Sequence, residues 1–236
     1  MEKIRLNKYL ASLGVASRRE IDLMITQGKI KVNGEIPLAG IRVDENDIIL
    51  INGKKMRTKQ PKKVYYLLNK PLNTLSTVKD DRGRKTVVDL IKTKERIFPI
   101  GRLDYNTTGL LILTNDGELF NKLIHPRSQV YKKYQVEVIG VISQEQIKLL
   151  QEGILLNDGM TLPAIVNLLF TSKHNNILEI YIREGRNRQV RRMVEAIGHR
   201  IISLKREKLG ELTIEGLKEG AYRELTLKEI EYLYSL

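Results

Sequence analysis

Residues 101–117 read GRLDYNTTGLLILTNDG. The run Leu110 to Leu113 is apolar without a break, short, and bounded by turn residues, so it predicts a central strand. Asn115-Asp116-Gly117 closes that strand as a turn. Ile97 to Ile100 forms a second short apolar stretch upstream. Between the two lies a turn-prone segment, Asn106 to Gly109, with one carboxylate, Asp104, just ahead of it.

Working outward, further strands are predicted at Val64 to Leu68, Tyr134 to Val138, Leu162 to Phe170 and Ile177 to Ile182. Helices are fewer. Glu118 to Ile124 should stop at His125-Pro126, and Ser143 with Gln146 caps a helix running to about Glu152. Gln189 to Ile197 carries Val190, Met193, Val194 and Ile197 on one face, with Gly198 as its stop. Thr226 with Glu229 caps a final helix. Val87 to Ile91 suits a short helix, and KDDRGRK (79–85) a polar loop. Many strands with hairpin signals and a few interleaved helices predict an α+β fold with a largely antiparallel sheet.

Residues 1–60 predict a separate small unit. Leu6, Leu10 and Leu13 form a helical stripe that Gly14 ends. Ser17 with Glu20 is a capping box for a second helix ending near Gly28. Lys29 to Val32 alternates like a strand before the turn Asn33-Gly34, and Ile48 to Ile51 is a second strand ending at Asn52-Gly53. KKMRTKQPKK (54–63) is basic, contains a proline and lacks apolar periodicity, as an interdomain linker does. The second unit then spans 64–236.

Composition excludes several function classes. The chain has 236 residues and no cysteine, so disulfides, thiolate metal sites and cysteine nucleophiles are absent. Only three scattered histidines argue against a histidine-ligated zinc or a Ser–His–Asp triad. No phosphate-binding glycine loop, dinucleotide fingerprint, HExxH or EF-hand loop is present. No cofactor and no metal are therefore expected. No apolar run approaches the ~20 residues that span a bilayer, and the N-terminus lacks the apolar core of a signal peptide, so a cytoplasmic protein without membrane association is expected.

The net charge is +13 and it is concentrated. Residues 1–63 hold 14 basic and 7 acidic side chains, and residues 182–208 hold 9 and 3. The remainder balances. Two basic zones predict two phosphate-contacting surfaces and a nucleic-acid partner.

Three segments can carry chemistry. A carboxylate placed like Asp104 commonly caps a turn, yet a lone aspartate also suits chemistry at the anomeric carbon of a sugar. In EGRNRQVRRMVEAIG (184–198), Arg188, Arg191, Arg192 and Glu195 share the polar face of a helix. That face is either solvated or, with Arg186 beside it, an anion site. One of these arginines, if buried, can pair with Asp104 and hold it ionised. In Tyr131-Lys132-Lys133-Tyr134, a tyrosine either packs at a strand start or stacks on a displaced base.

At these segments the chain resembles the RsuA/RluB/RluE/RluF family of ribosomal-RNA pseudouridine synthases, and 123–140 is closer to the RluB-type branch. Residues 4–51, with SRRE (17–20) and GKIKVNG (28–34), are similar to the RNA-binding domain of ribosomal protein S-four type. The resemblance implies a mixed, mostly antiparallel catalytic sheet behind that domain. It implies Asp104 as catalytic aspartate, Tyr134 as the tyrosine stacked on the target base, and Arg191 as the basic partner of Asp104. Leu204 becomes the apolar pocket wall, and Arg102 the residue entering the RNA near the displaced nucleotide. Arg186, Arg188 and Arg192, with Arg18, Arg19, Lys29 and Lys31 in the first unit, become RNA contacts. Asn73 stands where the family often has glycine, a place asparagine tolerates. The implied activity is cofactor-free isomerisation of uridine to pseudouridine in rRNA, with the large subunit favoured, by a monomer. A non-catalytic RNA-binding protein and an RNA N-glycosidase are the competing readings.

Overall fold

A computed structural model describes residues 3–56, 60–125 and 128–236. The chain separates into two compact units, the first built chiefly from residues up to Val64 and the second chiefly from Tyr65 onward.

The first unit holds β1 (Ile4–Arg5), α1 (Leu6–Ser12), α2 (Arg18–Thr26), β2 (Ile30–Val32), β3 (Arg42–Val43), β4 (Ile49–Ile51) and β5 (Lys54–Lys55). The capping box forms as expected. Ser17 Oγ accepts from the Glu20 amide at 3.2 Å, and the Glu20 carboxylate accepts from the Ser17 amide at 2.8 Å. Leu6, Leu10, Ile21, Ile30 and Val43 make a small core of their own. Each aliphatic side chain so buried contributes about 1.5–3 kcal/mol. β2 pairs with β4 and β4 with β5, all antiparallel, while β1 pairs with β3.

One expectation changes here. The segment expected as a linker from 54 begins as β5, because Asn52 (φ 50°) and Gly53 (φ 76°) form a left-handed two-residue turn that folds Lys54–Lys55 back onto Leu50–Ile51. Residues 57–59 of that segment lie outside the described residues. Strands β1 and β3 are too short to show a period, and only their pairing reveals them.

The second unit holds β6 (Tyr65–Lys70), a 3-10 turn (Val88–Leu90), β7 (Phe98–Ile100), β8 (Thr108–Thr114), α3 (Gly117–Ile124), β9 (Lys132–Ile139), α4 (Gln144–Glu152), β10 (Leu155–Leu156) and β11 (Gly159–Met160). Then follow β12 (Ile165–Thr171), β13 (Asn175–Ile182), α5 (Gln189–Ala196), β14 (Ile201–Leu209), β15 (Leu212–Thr213), β16 (Tyr222–Glu224) and α6 (Leu227–Ser235). One sheet runs in the order β12-β13-β9-β14-β8-β6-β16, with β7 also on β8 and β15 on β14. Every pairing between named strands is antiparallel except β14 with β8. The fold is thus α+β with a mixed, mostly antiparallel sheet.

The expected capping boxes form at Ser143 and at Thr226. Leu67, Ile112, Leu119 and Leu233 pack in one core that includes residues of α3 and α6. The predicted strand from Leu162 starts only at Ile165, since Pro163 offers no amide to a ladder. The helix stop expected at His125-Pro126 reaches Pro126, which lies outside the described residues. The hairpin β10–β11 has strands of two residues each, too short to leave a period in the sequence. Among the described residues no helix is long and apolar enough to cross a membrane.

Candidate active site

The site is built where β8 meets β14 in parallel, with Thr108 opposite Lys205 and Gly109 opposite Arg206. Gly109 sits at φ +110°, and a Cβ there would stand 2.1 Å from the Arg206 carbonyl oxygen. Only glycine allows so close a backbone approach. Arg206, buried, donates from Nε to the Leu110 carbonyl at 2.8 Å and staples the two strands.

The loop feeding β8 carries Asp104. Ser76 Oγ donates to the Leu103 carbonyl at 2.8 Å, and the Thr107 amide donates to the Asp104 carbonyl at 3.1 Å, closing a turn. From α5, Arg191 Nη2 donates to the Asn106 carbonyl at 2.7 Å and to Thr107 Oγ1 at 3.1 Å. Its Nε lies 3.6 Å from Asp104 Oδ2 and is itself buried without a hydrogen-bond acceptor. Arg188 Nη1 stands 3.9 Å from the same oxygen. The Asp104 side chain is 30% exposed and the Arg191 side chain 9%. The carboxylate is therefore open to a ligand on one side and backed by a buried cation on the other. Burial, and then the Arg188 charge, pull Arg191 below the ordinary guanidinium range, while Asp104 and Glu195 oppose them.

Asp104, Tyr134, Arg191 and Leu204 line one cleft of about 590 Å³. Tyr134 lies on β9 opposite Arg206, and Leu204 on β14 opposite Val136. Alternation puts Tyr134, Val136 and Val138 on the buried face of β9. Among the described residues the lining includes seven arginine or lysine side chains and two carboxylates. The cleft therefore suits a polyanionic ligand.

The other predicted residues separate into groups. Arg102 lies exposed on the cleft. Arg186 and Arg192 are committed to protein partners: Arg192 makes a two-pronged pair with Asp158, and Arg186 bonds Glu184 and the Gly159 carbonyl. The single polar stripe expected on α5 does not form. Arg188 precedes the helix in a left-handed conformation, and Arg191 is buried against the Asp104 loop. In the first unit Arg18, Arg19, Lys29 and Lys31 are all exposed, with Lys31 pointing away from the core between buried Ile30 and Val32.

Sequence reasoning missed one buried lysine and one half-buried lysine. Lys70 is fully buried at the end of β6 and donates to the Pro71 carbonyl at 2.8 Å. Burial lowers its pKa to about 8, against the pull of Glu219 and Asp104. Lys132 lines the cleft and donates to the carbonyls of Val130 at 2.9 Å and Arg183 at 3.4 Å. Burial first, and then the Arg206 charge, bring it to about 8 as well. Nothing in the pattern marks either one, because a lysine at a strand end ordinarily reaches solvent.

Comparison with known proteins identifies the family. Residues 64–196 match the RNA pseudouridylate synthase family, and residues 4–49 match the S4 domain. Ribosomal large subunit pseudouridine synthase B of Bacillus subtilis (strain 168) is 48% identical over 98% of this chain and 96% of its own length. An uncharacterized RNA pseudouridine synthase of Aquifex aeolicus (strain VF5) is 42% identical over 99% and 95%. A crystal structure of a pseudouridylate synthase superposes with a TM-score of 0.69 at 31% identity, covering 98% of this chain and 99% of the other. The chain belongs to the RNA pseudouridylate synthase family and carries an S4 domain ahead of its catalytic sheet.

Proposed function

We propose that this protein isomerises a uridine of large-subunit ribosomal RNA to pseudouridine, with Asp104 as the catalytic carboxylate. The observation that carries the reading is the carboxylate itself, half-open in a basic cleft that it shares with Tyr134, and backed by Arg191 at 3.6 Å. Two relatives that bear a large-subunit name, from Bacillus subtilis (strain 168) and Vibrio cholerae, are 48% and 39% identical over 98% of the chain and support that substrate.

The target base leaves its stack, at a cost of a few kcal/mol, which the basic surfaces offset by holding the flanking strands. Tyr134 stacks on the ring and Leu204 forms the apolar wall. Asp104 acts on the ribose, by attack at carbon 1′ or by removal of the 2′ proton, and the bond from carbon 1′ to nitrogen 1 breaks. The uracil turns and carbon 5 bonds to carbon 1′, either as the bond from Asp104 to carbon 1′ breaks and frees the carboxylate or as Asp104 returns the proton to carbon 2′; the carbon 5 proton is then lost while nitrogen 1 gains one, so composition is unchanged. Arg191 stands as the counter-charge of Asp104 throughout. The S4-type domain, residues 1–60, adds affinity through Arg18, Arg19, Lys29 and Lys31, and the catalytic domain is 64–236.

The test is to map pseudouridine in large-subunit rRNA fragments after incubation with the protein. One new pseudouridine, with no uracil released, is the expected result. Free uracil makes the protein an N-glycosidase, and binding without any product makes it a non-catalytic RNA-binding protein.

A further inference from the structure

Arg188 holds a backbone conformation, φ 48° and ψ 32°, that a residue with a Cβ rarely adopts. Such a residue persists only where its surroundings over-determine it. Its guanidinium faces Asp104. What holds it lies on either side in sequence. Two residues before, Arg186 donates from Nε to Glu184 at 2.9 Å and from Nη1 to the Gly159 carbonyl at 2.9 Å, and its Nη2 donates to the Met160 carbonyl. Four residues after, Arg192 donates Nη1 and Nη2 to the two oxygens of Asp158 at 2.8 and 3.0 Å. Arg186 Nη1 also stands 3.5 Å from Asp158 Oδ1. Both anchors end on one hairpin, β10–β11, whose turn includes Asp158. Close to Arg188, Gln189 donates to Glu184 at 2.6 Å and accepts from the Arg186 amide at 3.1 Å.

We propose that Asp158 is a positioning residue for the reaction: by gripping Arg192 and Arg186 it pins the turn on both sides of Arg188 and keeps that guanidinium at Asp104. Arg186 and Arg192 then serve the geometry of the site rather than the phosphates of the RNA. This rests on Asp104 being the catalytic carboxylate. Asp158 is 46% exposed, and exposed ion pairs add little to global stability. Its removal should therefore loosen one turn without unfolding the protein.

The experiment uses the full chain with Asp158→Asn, Asp158→Ala and Asp158→Glu, assayed on an rRNA fragment that the wild type modifies. We expect Asp158→Asn and Asp158→Ala to lower kcat about tenfold with KM unchanged, as the turn uncouples from the site. Asp158→Glu should recover most of the rate. Adding Arg192→Ala to Asp158→Ala should cost nothing further. Amide hydrogen exchange at 186–189 should quicken in Asp158→Asn and stay constant elsewhere. An unchanged kcat, or a rise in KM alone, overturns the proposal and returns Arg186 and Arg192 to the RNA interface. The exchange measurement needs no RNA, so if the wild type makes no pseudouridine it still decides whether Asp158 pins the turn, and unchanged exchange overturns that.

Discussion

Arg191 touches the Asp104 loop at three points: its Nε lies 3.6 Å from the carboxylate, and its Nη2 donates to the Asn106 carbonyl at 2.7 Å and to Thr107 Oγ1 at 3.1 Å. One guanidinium thus supplies both the counter-charge and the backbone support. A lysine supplies a point charge and cannot hold both positions. Arg191→Lys should therefore lower kcat by about 100-fold while retaining RNA affinity, because a misplaced carboxylate costs rate before it costs binding. Steady-state kinetics and filter binding on the same fragment check this, and near-normal kcat would refute the double role.

Asp104→Asn keeps the shape of the side chain and removes its charge. Pseudouridine formation should fall by at least about 1000-fold, as for removal of a group that acts on the reacting atoms. RNA affinity should change little, since the phosphate-binding cations remain. Product mapping beside an equilibrium binding curve separates the two effects. A variant that still turns over places the chemistry elsewhere.

Gly109→Ala should be among the most damaging single substitutions. Its Cβ would stand 2.1 Å from a backbone oxygen of the neighbouring strand, which cannot swing aside, and φ is +110°. A destabilisation of roughly 3 kcal/mol or more is expected. Gly83→Ala makes the control, because Gly83 also has positive φ but nothing within 4 Å, and about 1 kcal/mol is expected there. Denaturant unfolding of both variants tests the contrast.

Glu229 is held at about 2, down from 4.5, first by the side-chain hydrogen bonds of Arg223 and also by Thr226. The folded value is lower than the unfolded one, so the stabilisation is complete above about 4.5 and is lost as pH falls toward 2. Glu229→Gln should be less stable than the wild type at pH 6, and the gap should narrow through that window. Urea unfolding at stepped pH follows it. A constant gap would mean that the Arg223 fork contributes nothing through charge.

Lys29 and Lys31 to alanine, with Arg18 and Arg19 likewise, should raise KM without changing kcat. Each phosphate-binding cation removed should lower the slope of log affinity against log salt by about 0.7–0.9. Binding titrations across a salt series measure it. An unchanged slope would remove these four side chains from the RNA surface.

Much of this protein is written in short-range pattern. The three capping boxes at Ser17, Ser143 and Thr226 are legible because the partners lie three residues apart, and all three form. The buried run at 110–113 is legible because continuous apolarity has few other outcomes. The turn Asn52-Gly53 is equally plain, yet its consequence, strand β5, is hidden because Lys54–Lys55 carries charge instead of a hydrophobic period. The sequence alone determined the main elements, the α+β class and the candidates Asp104, Tyr134 and Arg191. Only the tertiary structure decided which arginines face the carboxylate, which pair with Asp158, and that Lys70 is buried and Lys132 half-buried. The reason is physical: caps, turns and periods are set by neighbours along the chain, whereas charge pairing, desolvation and the close approach at Gly109 depend on segments that meet only when the sheet has formed.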